Sequence, residues 1–559
     1  MFMHNNRDLN EIPKRGTVKR STSDTVEQIQ TDQDKLNMNE YYLLRELLDK
    51  QKQEKSDQEI HKRKKIEEFS KKKEFPEVEW KELFDFYSNV WCTGQDRESR
   101  ICKFNNLCYD PNHEKFIFIK RPQSVEYNVG TSKERSEKGL LDTTSISSHN
   151  AFYWDYVQVE AGTYNPGKIR YVEDLTFMFY RFLAVNIMHS LHDDFFNLFH
   201  TIREFGDSVF EASESFSRDN NILFLDHLGF SDYSHIFQSL TNKPLLLKNT
   251  HLNRQDKQVT CFTNAVVGIS KRMSWYHYGF GSPQGPILNK EVDGFELREA
   301  TKALFNHYNI PYHYYPAVRK SLRGILASRG IQNADETDST TPSLPRCIVI
   351  YSRRGDRLIL NEDELSKALE AEYSLPVKFL RMEDNSLEEQ INILRTALIA
   401  IGMHGSMLIM SVFMPPGSIL IELYPYAVPS ENYTPYKTMS NIKGIDLVYS
   451  AWENKHQENN RPHPERPSHH GGIRHLSKEE QDKILNTITV PLHTCCTNPY
   501  WLFRIYQDTI VDIREIISII DKKLPETLKT MEIHENRLKR DSGKTLPSAI
   551  KTRSCTNNT

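Results

Sequence analysis

The chain lacks most of the features that would classify it quickly. Its 559 residues include only 8 cysteines, and no C-x-x-C pair has a matching second pair, which argues against a structural zinc site. Charge of one sign is missing too. With 72 Lys and Arg against 75 Asp and Glu, the formal net charge is -3, which excludes a polybasic nucleic-acid binder and identifies no partner. No G-x-G-x-x-G follows a strand-like run and no G-x-x-x-x-G-K-[ST] occurs, so dinucleotide dehydrogenases and P-loop enzymes lose their main signature. The opening residues, MFMHNNRDLNEIPKRG, hold no apolar core of the kind a signal peptide or membrane anchor needs, and the chain as given reads as soluble. One long stretch, Thr396 to Ile421, carries no Asp, Glu, Lys or Arg. His404, Gly405, Pro415, Pro416 and Gly417 divide it, so it reads as buried strand, loop and short helix rather than as a membrane span.

What is present supports a large folded core. Hydrophobic residues make up 38% and aromatic ones 11%, and the length calls for two globular domains plus tails. Residues 1–75 are polar and end in HKRKKIEEFSKKKEF, read as a disordered or helical stem with a solvated basic face. Residues 76–325 alternate strand-like segments (YWDYVQVE, NILFLD, QVTCFTNAVVG) with helical ones, including a run from Phe295 to Tyr308. Residues 326–345 are small and polar without apolar period, as in a flexible connection. Residues 346–526 have the cleanest rhythm: strands RCIVIYS, PVKFLRM, ALIAIG, SILIELY and DLVYS, with helices starting near Asn361, Ser386 and Gly405. That alternation predicts an α/β, parallel, doubly wound sheet. Asn361 precedes the acidic turn EDE, and Ser386 with Glu389 makes a capping box. Residues 527–559 read as a loosely ordered tail. Cys92, Cys102 and Cys108 cluster, and Cys495 adjoins Cys496, a pattern suited to disulfides in an oxidising compartment but silent on connectivity.

In an open parallel sheet, ligands bind beyond the carboxyl ends of the strands. Three loops there carry suitable residues. Arg353, Arg354 and Arg357, after CIVIYS, could clamp a pyrophosphate or form a solvated basic turn. His404, Gly405 and Ser406 join a strand to an apolar helix; glycine lets backbone approach an anion, and His404 either bonds a phosphate oxygen or caps the turn. Glu422 and the Tyr424-Pro425-Tyr426 run could hold ribose and base, or Glu422 could end its strand in a salt bridge. This half has no compact Asp-x-Asp for a bridging metal, which favours neutralisation by arginine and helix dipoles. In the other half, Asn186-Ile-Met-His189-Ser-Leu-His192-Asp193-Asp194 places positions 189, 192 and 193 on one helical face. General-base catalysis, metal binding and structural histidine all fit that spacing.

The motifs VWCTGQDRESRICKFNNLCYD, NIMHSLHDD, WYHYGFGSPQGP, SRRGDRLILNEDEL, MHGSMLIMSVFMPPGSILIELYPYAV, YTPYKT, HPERP with GGIRHL, and CCTNPYWLFRIYQDT resemble glycosyltransferase family 61 from about Val90 to Asp512. The resemblance implies a GT-B architecture of two Rossmann-like halves facing a cleft, and inverting, metal-independent transfer of N-acetylglucosamine from UDP-N-acetylglucosamine to O-linked mannose on a glycoprotein in β-1,4 linkage, with no cofactor. It implies catalysis for the Asn186, His189 and Asp193 pattern, with Asp193 or His189 as base or base-orienter and Arg181 and Asn186 in support. It also implies donor contacts from Arg353, Arg357, His404, Gly405, Ser406 and Glu422. Trp275 and Tyr278 are candidates either for stacking on the acceptor mannose or for core packing. Family members carry a membrane anchor facing the endoplasmic reticulum lumen and a terminal fibronectin type III domain, neither visible in this sequence. A homodimer and no nucleic-acid partner are expected.

Overall fold

The alternation after Arg346 folds into a five-stranded sheet in which every pairing is parallel. The strands run in the order Val377–Leu380, Cys347–Tyr351, Ala397–Met403, Ile419–Tyr424, Val448–Glu453. Numbered along the chain this order is 2-1-3-4-5, which reverses direction between Cys347–Tyr351 and Ala397–Met403. Ligands of doubly wound sheets bind at that reversal. The computed structural model describes residues 87–120, 139–146, 152–160, 163–165, 168–206, 218–280, 283–312, 346–493 and 497–541, all within one unit, Phe86–Thr559. The stem at 1–75, the connection at 326–345, and Cys495 and Cys496 lie outside the described residues.

The strands of this sheet are buried along nearly their whole length, as a sheet covered on both faces requires. Helix Glu362–Tyr373 covers one side, with Leu365, Leu369 and Tyr373 inward. Helix Leu387–Leu394 starts at the Ser386 capping box, both of whose bonds form. Asn361 does not cap its helix. Its amide donates to Val511 O and its carbonyl accepts from Val511 N–H, both at 2.9 Å, so it anchors the incoming C-terminal segment instead. The apolar stretch resolves as expected into pieces, although Ser406–Phe413 winds as a 3-10 helix. The boundary placed at Thr527 falls inside a continuous helix, Ile513–Asp541. Its apolar stripe does not stop there, because Leu528 and Met531 remain buried beside Leu524 and Ile520.

The other sheet is mixed and nine-stranded. One side is parallel, with Leu246–Leu247, Asn221–Phe224, Thr176–Phe179 and Thr260–Val267 side by side. Thr260–Val267 then pairs antiparallel with Ile101–Asp110, which pairs antiparallel with Lys115–Lys120. Disulfides Cys92–Cys102 and Cys108–Cys261 tie these strands together, while the buried Cys347 belongs to neither and lies 3.4 Å from Thr396 Oγ1. No helix among the described residues is long and apolar enough to cross a membrane.

Both sheets share one apolar cluster, and Arg298 holds the junction. From helix Gly294–His307 its Nη1 donates to Val412 O (2.7 Å) and Met414 O (2.8 Å), its Nη2 to Ile445 O (2.6 Å) and its Nε to Gly444 O (3.3 Å). These carbonyls end the 3-10 helix and the turn after helix Pro435–Asn441, and without Arg298 they would be buried acceptors lacking this partner. Arg298→Met keeps most of the stem and removes the donors. The expected result in chemical denaturation is a stability loss of about 3 kcal/mol.

Candidate functional site

Two clusters form at strand ends. The first starts where the turn after Thr176–Phe179 enters a helix. Asn186 Oδ1 accepts from Met188 N–H at 2.9 Å, so Asn186 fixes the helix entry rather than touching the reactive groups. The segment His189–Phe195 then winds as a π-helix, not the α-helix expected from spacing. Asn197 Nδ2 takes the loosened carbonyls of His192 (3.1 Å) and Asp193 (3.0 Å). Single π-turns of this kind are concentrated at functional sites.

Asp193 lies at the centre and is buried. Its Oδ2 is 2.5 Å from His189 Nδ1 and its Oδ1 is 2.5 Å from His192 Nδ1. Tyr278 O–H lies 3.4 Å from Oδ1 and 2.7 Å from His192 Nδ1. His192 Nε2 accepts the Trp275 backbone N–H at 3.1 Å, so its single proton sits on Nδ1 and points at Asp193. Burial alone would raise the Asp193 carboxyl, but His192 and His189 outweigh it and hold the group below the ordinary carboxylate value. His189 Nδ1 lies against Asp193, and the His189 side chain, unlike that of Asp193, keeps some exposed surface.

Two residues expected in the chemistry lie elsewhere. Arg181 has no exposed surface; it grips Asp226 through Nε (2.8 Å) and Nη2 (2.6 Å), and its remaining donors meet Ser234 Oγ and Gly229 O. It locks two strand-end turns from a fully buried position. Trp275 is buried edge-on to His192, and its Nε1 donates to Pro435 O at 3.1 Å, so it packs between the halves rather than stacking on a sugar. Tyr278 lies against His189 with rings 4.7 Å apart, inside the cluster.

The second cluster occupies the switch point of the parallel sheet. Arg353 and Arg357 follow the first strand, and Gly405 follows the third. A Cβ on Gly405 would lie 2.7 Å from Arg357 Nη1 and 3.1 Å from Arg353 Nη1, so only glycine lets both guanidinium groups close over the turn. Arg357 adopts a left-handed backbone (φ 57) at a cost of about 1 kcal/mol, and donates from Nη1 to His404 O at 3.0 Å. Arg353 Nη1 is buried and has no partner, and burial together with Arg357 pushes its guanidinium down to about 10. Arg354 points away, pairing with Asp384 at the surface. Ser406 opens the 3-10 helix at the cradle's edge.

Glu422 is engaged within the protein. It is fully buried with Oε1 2.5 Å from His404 Nδ1 and Oε2 accepting from Tyr449 O–H at 2.6 Å, so it orients His404 from behind. His404 sits among the rings of Tyr424, Tyr433, Tyr436 and Trp501. Asp356 was not singled out in the sequence. Its backbone O and Oδ1 accept from Arg353 Nε (3.0 Å) and Nη2 (3.4 Å), Oδ1 lies 3.5 Å from Arg357 Nε, and Oδ2 lies 3.2 Å from His470 Nδ1. The SRRGDR run contained it, but only the long-range approach of His470 and Arg466, which donates to Gly355 O at 3.0 Å, reveals its role. One carboxylate thus sets the spacing of two guanidinium groups that retain a surplus of positive charge.

A parallel sheet with a glycine-apposed arginine cradle at its switch point, together with a carboxylate-oriented histidine, defines an α/β group-transfer enzyme for an anionic donor. The sequence profile of Glycosyltransferase 61 matches residues 272–421. Three relatives named protein O-linked-mannose beta-1,4-N-acetylglucosaminyltransferase 2 are similar over most of the chain. That of Takifugu rubripes is 36% identical over 83% of this chain and 75% of its own length. Those of Xenopus tropicalis (77% and 69%) and Homo sapiens (78% and 69%) are also 36% identical. The chain belongs to glycosyltransferase family 61, and it is a glycosyltransferase.

Two measurements test the geometry. Gly405→Ala should weaken binding of UDP by about tenfold, ~1.4 kcal/mol, in isothermal titration, and lower the melting temperature slightly because a side chain there is strained. Asp194 offers a pH test. It is buried with Oδ2 unpartnered, and burial, then Asp193, raise its carboxyl well above the ordinary value. The folded state therefore keeps a proton that the unfolded chain releases above about pH 4, and stability falls as pH rises from there toward the raised folded value. Asp194→Asn removes that penalty. It should raise the melting temperature at pH 7 more than at pH 4.

Proposed function

We propose that this chain transfers N-acetylglucosamine from UDP-N-acetylglucosamine to O-linked mannose on protein, in β-1,4 linkage and with inversion. The observation that carries the donor side is the buried, partnerless Nη1 of Arg353 beside Arg357 and Gly405, two cations that Asp356 only half balances and that suit a diphosphate. The named relatives supply the sugar and acceptor class. In this reading the two sheets are the halves of a GT-B enzyme, and the tyrosine and tryptophan rings around His404 border the nucleotide.

The acceptor hydroxyl hydrogen-bonds to His189 Nε2. Its oxygen attacks the anomeric carbon as the bond from that carbon to the diphosphate oxygen breaks, and its proton passes to Nε2. Asp193 holds the Nδ1 proton of His189 and stabilises the imidazolium that forms. Charge developing on the departing UDP meets Arg353 and Arg357, already in place and partly dry, so no reorganisation is needed in the transition state. Guanidinium groups fill the role a divalent metal has in other sugar transferases, so the reaction is metal-independent. The two disulfides favour an oxidising lumen such as that of the endoplasmic reticulum.

The test incubates the purified chain with UDP-N-acetylglucosamine, an O-mannosylated peptide and the bare peptide, with and without chelator. Sugar transfer to the mannosylated peptide alone, unaffected by EDTA, is expected; no UDP release on any acceptor would sink the assignment. Asp193→Asn should lower kcat by about 10²–10⁴ while UDP affinity holds, because only the orientation of His189 is lost.

A further inference from the structure

Two strand-end turns, one of them joined to His189 through the Phe182 ring, leave apolar side chains in solvent. Leu183 and Val185 lie in the turn after Thr176–Phe179, and Leu228 and Phe230 in the turn after the adjacent parallel strand Asn221–Phe224. Val185 is 73% exposed, Phe230 60%, Leu228 50% and Leu183 37%. Arg181 binds the two turns together, since its Nη2 reaches Gly229 O at 2.6 Å and its other bonds hold Asp226. Leu228 and Phe230 therefore flank a carbonyl tied to the residue from which Phe182 and Leu183 lead on. Asn186 N–H donates to Leu183 O, and Phe182 lies edge-on to the His189 ring at 4.9 Å with Phe280 behind it at 5.6 Å. The rim is thus continuous with the proton-accepting group.

Exposed apolar side chains gathered at one place mark an interaction surface. A sugar, which presents hydroxyls, is poorly matched to these four; what the sugar is attached to fits them better. Phe182–Met188 and Leu228–Ser231 contain no Asp, Glu, Lys or Arg, so the rim also lacks the cations that an anionic lipid surface would recruit. We infer that this rim docks the polypeptide of the acceptor, receiving apolar side chains next to the glycosylated residue while the attached sugar reaches His189. The inference rests on the assignment of His189 as base.

Val185→Asp and Phe230→Asp, each alone, place a charge on the rim without touching a buried group. Two acceptors are compared, O-mannosyl-serine and an O-mannosylated peptide with leucine and valine beside the mannosylated residue. Each variant should raise KM for the peptide about tenfold, leaving kcat, and both constants for O-mannosyl-serine, as in the parent. Equal losses on both acceptors, or none on either, would overturn the docking surface. Binding of the same peptide, followed by fluorescence anisotropy with UDP present, separates this inference from the catalytic one. If the parent turns over neither acceptor, the proposed reaction fails, yet peptide bound by the parent and released by Val185→Asp upholds the rim; a parent that binds no peptide overturns it. Loss of binding to phosphatidylcholine vesicles in Phe230→Asp with peptide binding intact would assign the surface to membrane instead.

Discussion

The structure around the reactive centre depends on one buried carboxylate. Asp193 is out of water, and an unpaired charge there would cost several kcal/mol. Meeting that cost dictates its neighbours: the π-helix brings His189 and His192 to opposite oxygens, and Tyr278 closes the remaining approach. Because His192 Nε2 accepts the Trp275 backbone N–H, the ring proton lies on Nδ1, toward Asp193. The Trp275 ring in turn donates to Pro435 O, and Thr434 N–H donates to Tyr276 O–H. The helix so anchored, Pro435–Asn441, carries Tyr436, whose ring meets His404 in the other cluster. One desolvated charge thereby extends its geometric demands into the donor half.

The two clusters treat charge in opposite ways. Around Asp193 every oxygen has a partner, which suits a group whose task is to hold another side chain still. At the cradle, two guanidinium groups and His470 face a single aspartate, and one N–H has nothing to bond. A surplus of that kind destabilises the empty protein and is relieved by an anion. The Tyr506 ring 4.8 Å from Arg357 softens it without neutralising it. In the proposed reaction the unsaturated cluster takes the anion and the saturated one sets orientation.

Much of this was legible in the sequence, for reasons that separate local from distant physics. The doubly wound sheet follows from apolar runs alternating with helical periods, and the Ser386 box needs only residues three apart. The gathering of Arg353, Arg357, His404 and Gly405 follows from their place after core strands. Arg181, Glu422, Trp275 and Asn361 were misread or left open because each is defined by a partner far along the chain: Asp226, His404 with Tyr449, Pro435 and Val511. An arginine beside a catalytic motif looks alike whether it faces substrate or a buried aspartate. The helix through Thr527 was obscured in the same way, since its polar composition hid a narrow apolar stripe.

Spacing left the base of the proposed reaction open between two residues, and burial favours one of them. Spacing put His189 and Asp193 on one face, and either could take a proton. Burial breaks the symmetry. Asp193 is buried with both oxygens engaged, whereas the His189 side chain keeps some exposed surface. For Asp193 to act directly, an acceptor hydroxyl would have to displace a histidine and leave its N–H buried without a partner. Removing a proton through His189 requires no such rearrangement, and the positive charge it creates forms beside a carboxylate already held in place.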